Sequence, residues 1–159
     1  MDDFTHMDKS GKPVMVDVAE KKVSKRTAVA RSTIQLPKEI LDRFKNGDIR
    51  TKKGAVFQTA IIAGIMAAKK TGDLIPLCHP LGLDNCNIDI QLNKNDELLI
   101  ECTTGIEAKT GVEMEALVGA TVAALTVYDM CKAFSHDIII KETMLIAKSG
   151  GKREFKRKQ

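Results

Sequence analysis

The chain has 159 residues, with 25 Lys and Arg against 21 Asp and Glu, a formal net charge of +4. At 43% hydrophobic and 29% charged residues it has the composition of an ordinary globular domain, which excludes disorder. Its length suits a single domain, residues 1–159, whose core needs no disulfide or metal staple.

The charge has a location. Residues 152–159 (KREFKRKQ) hold five bases and one acid, so the rest of the chain is balanced at twenty of each. The body is neutral and the basic signal is a tail. The polar, acidic start (MDDFTH) has no secretory or transit character. The longest apolar runs, such as residues 60–68, fall short of the roughly 18 residues a membrane span needs. Cys78, Cys86, Cys102 and Cys131 form no C-x-x-C pair and are expected as reduced thiols of a cytoplasmic protein.

In chain order, residues 1–12 read as a flexible arm, with Gly11 and Pro13 near its end. Residues 25–36 (KRTAVARSTIQL) carry the β-branched content of a strand closed by Pro37, and a short helix is expected over 38–45, ended by Asn46-Gly47. A long helix is predicted over 55–70, with Phe57, Ile61, Ile62, Ile65 and Met66 at helical spacing. A proline-punctuated loop spans 74–82. Strands at 87–92 and 98–106 then flank the turn formers Asn93-Lys94-Asn95-Asp96, a hairpin. A second long helix is predicted over 112–134, opened by Thr110 and Glu113 in capping-box spacing, and a last strand over 137–147. The order β-α-β-β-α-β predicts an α+β, ferredoxin-like fold: a four-stranded antiparallel sheet covered on one face by two long helices. A partner subunit is the natural cover for the other face.

The second helix carries the first chemical signal. At 100° per residue, Met114, Leu117, Val118, Thr121, Val122, Leu125 and Tyr128 form one apolar stripe, and Asp129 and Lys132 fall on it. Three residues apart, this Asp and Lys reach each other. Spacing alone allows either an exposed ion pair worth about 0.2–0.5 kcal/mol or a partly desolvated pair suited to proton transfer.

In the loop 74–82, Pro76 and Pro80 stiffen the segment that presents Cys78 and His79. Cys78 reads as a packing residue, since no neighbouring motif supports nucleophilic attack. Lys52-Lys53-Gly54 precedes the first long helix, where free N–H groups and lysines make an anion site. Residues 148–152 (KSGGK) have glycines that permit close backbone approach to phosphate, although they are not a Walker A loop. Glu113 has a sufficient role as the capping-box acid, and Glu115 points to a different side of the helix. Together the segments describe a site of several cations, one His and a few carboxylates, suited to a polyanionic small molecule and acid–base chemistry.

The blocks at 5–6 (TH), 15–18 (MVDV), 53–54 (KG), 73–81 (DLIPLCHPL), 110–117 (TGVEMEAL), 128–132 (YDMCK) and 147–152 (AKSGGK) resemble the cyclic pyranopterin monophosphate synthase family of molybdenum cofactor biosynthesis. The resemblance implies a lyase acting on a cyclised dihydro-GTP, (8S)-3′,8-cyclo-7,8-dihydroguanosine 5′-triphosphate. The implied products are cyclic pyranopterin monophosphate and pyrophosphate. It further implies a homohexamer, a trimer of dimers, with the active site between subunits.

On the matching positions, Asp129 is where the family places its catalytic acid/base, and Lys53 and Lys132 match lysines needed for turnover. Leu77, Cys78, His79, Met114 and Glu115 match substrate-binding segments. Arg26 and Lys148 match cationic contacts near the phosphates, and Glu113 is a further contributor beyond capping. No metal ligand and no cofactor is required, although Mg²⁺ can arrive on the substrate. Nucleic acid and membrane are not expected partners. The rival readings are an RNA-binding or a non-catalytic nucleotide-binding module of the same fold. The strands at 87–92 and 98–106 lack the aromatic residues on which RNA-recognition sheets stack bases.

Overall fold

A computed structural model describes residues 6–8 and 10–158. Half of the expected arm, residues 1–5 and 9, lies outside the described residues, as does Thr5 of the first matched block. The described part of the arm closes a turn: Met7 bridges Pro13, and the Asp8 carboxylate accepts N–H bonds from Ser10 and Lys12.

The elements run β1 (Ser24–Gln35), α1 (Lys38–Leu41), β2 (Phe44–Lys45), β3 (Asp48–Thr51), β4 (Gly54–Ala55), α2 (Val56–Ala68), α3 (Thr71–Leu74), β5 (Asn85–Leu92), β6 (Glu97–Ala108), α4 (Glu113–Cys131), β7 (Ile139–Ser149) and β8 (Phe155–Lys156). The architecture is mixed α+β with an antiparallel main sheet in the order β5-β6-β1-β7-β8. The expected sheet of four strands is therefore five-stranded, because Phe155 and Lys156 pair with Lys148 and Ala147 at its edge. The tail turns back onto the protein. A second, small sheet of β2, β3 and β4 occupies residues 44–55, where one short helix was expected over 38–45; only 38–41 are helical. Strands of two residues leave no periodicity to read.

Alternation sets the core face of the main sheet. Ala28, Ala30, Ser32 and Ile34 of β1 and Leu98, Ile100, Cys102 and Thr104 of β6 are buried at every second position. Against them lies α4, and its inner face is not the expected stripe. Ala116, Gly119, Ala120, Ala123, Ala124 and Val127 are buried, while Leu125 is 53% exposed and Met114 lies at the surface. Size decides the orientation. A stripe of small side chains lets α4 approach both the sheet and α2, whereas the larger Leu and Met would hold it off.

The approach is closest at two glycines. A Cβ on Gly64 would meet the Gly119 carbonyl at 2.7 Å, and one on Gly119 would meet Cys102 Sγ at 2.6 Å. Real Cβ atoms do not come that near, so α2 and α4 cross where neither has a side chain. The N-terminus of α2 is closed by a distant group: the Asp48 carboxylate accepts from Phe57 N (2.8 Å) and Gln58 N (3.4 Å). The expected anion site at this helix start is already filled from within.

Although 19 residues long and apolar, α4 is a core helix with half of its apolar window buried. Gly64→Ala tests the helix crossing. The alanine gains about 1 kcal/mol of helix propensity, but the clash is with backbone. We expect a net loss of about 1–2 kcal/mol, read as a lower urea midpoint with an unchanged slope.

Candidate active site

The ends of α4 organise two separate groups of candidate residues. At its N-terminus, Glu113, Met114 and Glu115 meet the loop carrying Leu77, Cys78 and His79. With His6, Val16, Val18, Lys21 and Leu81 they line a cavity of about 380 Å³. Beside it, Arg26 and Lys148 line a cavity of about 570 Å³ together with Lys21, Lys109, Lys152 and Arg153. Lys21, Thr110, Gly111 and Glu113 border both, so the two form one continuous cleft with a mixed end and a cationic end. The sequence reading missed Lys21 and Lys109. Lys109 directly precedes the matched block 110–117, and Lys21 follows the block 15–18 at three residues' distance.

His79 is held by the backbone. Its Nε2 lies 2.7 Å from the Val16 carbonyl, which can only accept, so that nitrogen donates the bond. Glu115 is only 3% exposed. Burial pushes its carboxyl above the ordinary value, and the nearby Glu113 carboxylate pushes it the same way. Burial likewise raises the Cys78 thiol, with Glu115 adding to it, which disfavours the thiolate.

Glu113 is not the capping-box acid. The N-cap of α4 is Val112, no side chain caps it, and the Glu113 carboxylate instead accepts from Lys148 Nζ at 2.8 Å. Thr104 holds this end by donating its hydroxyl to the Val112 carbonyl at 3.1 Å. Gly111 makes the arrangement possible, since a Cβ there would lie 2.0 Å from Glu113 Oε2. In the segment 148–152, Gly150 serves the fold: with φ +85° it passes the Lys25 carbonyl where a Cβ would sit 1.8 Å away. Arg26 is anchored to the Ala108 carbonyl through Nε at 3.4 Å, leaving its other nitrogens toward the cationic end.

The second group lies at the other end of α4. Asp129 accepts from Lys132 Nζ at 2.8 Å and from Lys53 Nζ at 3.0 Å, and Lys53 also reaches the Asp129 carbonyl. Lys53 arrives from the turn between β3 and β4, where its N–H bonds Thr51 Oγ1. None of the three lines the cleft. The rise from position 113 to position 129 is about 24 Å, so one chain does not gather all the expected residues into one pocket.

The two ammonium groups hold the Asp129 carboxyl at about 2, Lys132 contributing most. The same bond holds Lys132 above the ordinary lysine value. At neutral pH the trio is therefore one carboxylate between two cations, and its pairing makes Lys132 harder to deprotonate than an ordinary lysine.

A carbon-detected NMR titration checks this electrostatic picture. The pairing contributes stability above pH 3.8, the ordinary aspartate value, and loses it as pH falls toward about 2. We expect an Asp129 midpoint near 2 that moves toward 3.8 in Lys132→Ala.

The MoaC family model matches residues 15–151. A molybdenum cofactor biosynthesis bifunctional protein of Synechocystis sp. is 53% identical over 155 residues, covering 95% of this chain and 45% of that protein. Molybdenum cofactor biosynthesis protein 1 of Dictyostelium discoideum is 46% identical, covering 94% of this chain and 26% of its own length. The chain thus spans less than half of each of these two relatives. A cyclic pyranopterin monophosphate synthase of Xanthomonas campestris pv. campestris is 49% identical over 152 residues, covering 96% of this chain and 92% of that one. With the cleft built from the matched blocks, and with similarity of this extent, the chain belongs to the MoaC family.

Proposed function

We propose that this protein is a lyase of molybdenum cofactor biosynthesis, converting the cyclised dihydro-GTP to cyclic pyranopterin monophosphate with release of pyrophosphate. The observation that carries this reading is the continuous cleft with chemically distinct ends. The ring system belongs at the mixed end, among Leu77, Cys78, His79, Met114 and Glu115. The triphosphate belongs at the cationic end, with Arg26 and Lys148. Between them Glu113 keeps Lys148 placed before the phosphates arrive.

The overall conversion has two parts. The purine-derived ring opens and recloses as a pterin, which needs protons delivered to and removed from ring nitrogens. A sugar hydroxyl then gives up its proton to solvent as its oxygen bonds to the α-phosphorus, while the bond from that phosphorus to the oxygen bridging to the β-phosphate breaks, its electron pair leaving with pyrophosphate. Cations fixed at that position offset the growing charge without reorganising. Lys132, Asp129 and Lys53 suit the proton transfers: the ammonium of Lys132 supplies a proton, and Asp129 holds both lysines in place.

Asp129, which binds the other two, lies about 24 Å from Glu113 along α4, so the complete site is assigned to two copies of the chain. One copy contributes the cleft and the other the Asp129 trio. This accords with a homohexamer built as a trimer of dimers. The order of the long elements, with the strand sequence β5-β6-β1-β7, supports a ferredoxin-like layout for each subunit. No resident cofactor enters the reading, and a magnesium ion, where present, comes with the triphosphate. Four free cysteines accord with a cytoplasmic setting, with neither nucleic acid nor membrane as partner.

Supplying purified cyclised dihydro-GTP and measuring pyrophosphate and pterin together is the direct test; binding without pyrophosphate release would replace catalysis with a regulatory role. Asp129→Asn and Lys132→Ala are expected to lower kcat/KM by about 10²–10⁴-fold. Mixing separately inactive Asp129→Asn and His79→Ala subunits, after exchange, should restore about a quarter of wild-type activity, the statistical share of intact composite sites. Zero recovery after verified exchange places the whole site in one chain.

A further inference from the structure

Residues 14–23 cross from the first turn to β1 without regular secondary structure, yet Val16, Val18 and Lys21 wall the cleft. Such a strap has no strand ladder to hold it, so its backbone groups need individual partners. Inside the strap, Asp17 accepts from Ala19 N at 2.8 Å, and Lys21 N donates to the Val18 carbonyl at 3.1 Å. These bonds shape a turn over 17–21 but do not attach it.

Attachment comes from two side chains of the body. His79 bonds the Val16 carbonyl, and Lys109 Nζ donates to the Ala19 carbonyl at 2.7 Å. Apolar burial adds little, because Val16 and Val18 are half-buried while Val14, Met15 and Val23 are exposed. Lys109 is well based for the task. It follows Ala108, the last residue of β6, whose register partner Ser24 begins β1 where the strap ends.

Lys109 also borders the cationic end, where another lysine would be expected to wait for phosphate; its ammonium is committed to a carbonyl instead. Two residues beyond that carbonyl stands Lys21, which borders both ends of the cleft and whose side chain has no hydrogen-bond or ion-pair partner among the described residues. We propose that Lys109 is a positioning residue that pins the 17–21 turn so that Lys21 stands at the junction between the ring and phosphate ends. The inference rests on the functional reading above and extends it. Lys109 acts through the strap, and Lys21 is the group that meets the substrate.

Hydrogen exchange of the full chain, without substrate, isolates the tether. In Lys109→Met the amides of 17–21 should exchange about tenfold faster, the loss of one hydrogen bond from a charged donor. Lys109→Arg, which keeps a charged donor, should stay near wild type, and peptides of β6 and α4 should be unchanged in both. Unchanged exchange over 17–21 in Lys109→Met overturns the proposal.

Steady-state kinetics with cyclised dihydro-GTP isolate the consequence. Lys109→Met and Lys21→Met should each raise KM about tenfold with kcat nearly preserved, and the double variant should be no worse than either. Multiplicative losses would mean that Lys109 meets the phosphates independently, and the proposal falls. If wild-type protein releases no pyrophosphate, the functional reading fails, while the exchange experiment still decides the tether.

Discussion

The crossing of two helices at Gly64 and Gly119 is the constraint that sets the site's geometry. With no side chains at the contact and alanines around it, α4 packs closely against both α2 and the sheet. Its burial is complete along the inner face, so its two ends cannot swing independently. A rigid helix of 19 residues then acts as a spacer. It delivers Glu113, Met114 and Glu115 to the cleft and keeps Asp129 and Lys132 at a fixed remove. Loosening the crossing would change stability and site geometry together, since both depend on the same surface.

Electrostatics prepare the site before any ligand arrives. Five of its cations have a local partner that fixes their position: Glu113 for Lys148, Asp129 for Lys132 and Lys53, the Ala108 carbonyl for Arg26, and the Ala19 carbonyl for Lys109. Such pairing lowers the repulsion among neighbouring cations and limits their rotamer freedom. The partners differ in kind. A carbonyl leaves the full positive charge for the ligand, whereas a carboxylate neutralises it until phosphate competes. An anionic ligand must therefore outcompete Glu113 for Lys148, but displaces no carboxylate from Arg26.

Much of this was legible in the residues. β-Branched content closed by Pro37 located β1, and the turn Asn93 to Asp96 located the hairpin between β5 and β6. The face of α4 was misread because hydrophobicity was taken as the measure of burial; at a close crossing, volume decides, and the alanines win over Leu125 and Met114. Asp48 could not be recognised as the cap of α2, because it reaches Phe57 from the far side of a small sheet. Glu113 had capping-box spacing, yet Lys148 competed for its carboxylate from β7, a contact no local pattern encodes. The residue blocks identified the candidate groups, but not which share a cavity. The separation of Asp129 from Glu113 was nonetheless available from helix rise alone.

The return of the C-terminal segment along β7 has a further consequence. An outermost strand with free carbonyls invites another chain to add itself to the sheet. Here β8 pairs at Ala147 and Lys148, while Arg157 donates its backbone N–H to the Ile146 carbonyl and its Nε to the Leu145 carbonyl. The isoleucine-rich strand is thereby blocked at its C-terminal half by a segment studded with positive charge. The basic residues of the C-terminal segment thus divide by position: Lys152 and Arg153 border the cationic cleft, while Lys156 and Arg157 cover a strand edge that would otherwise be open to another chain.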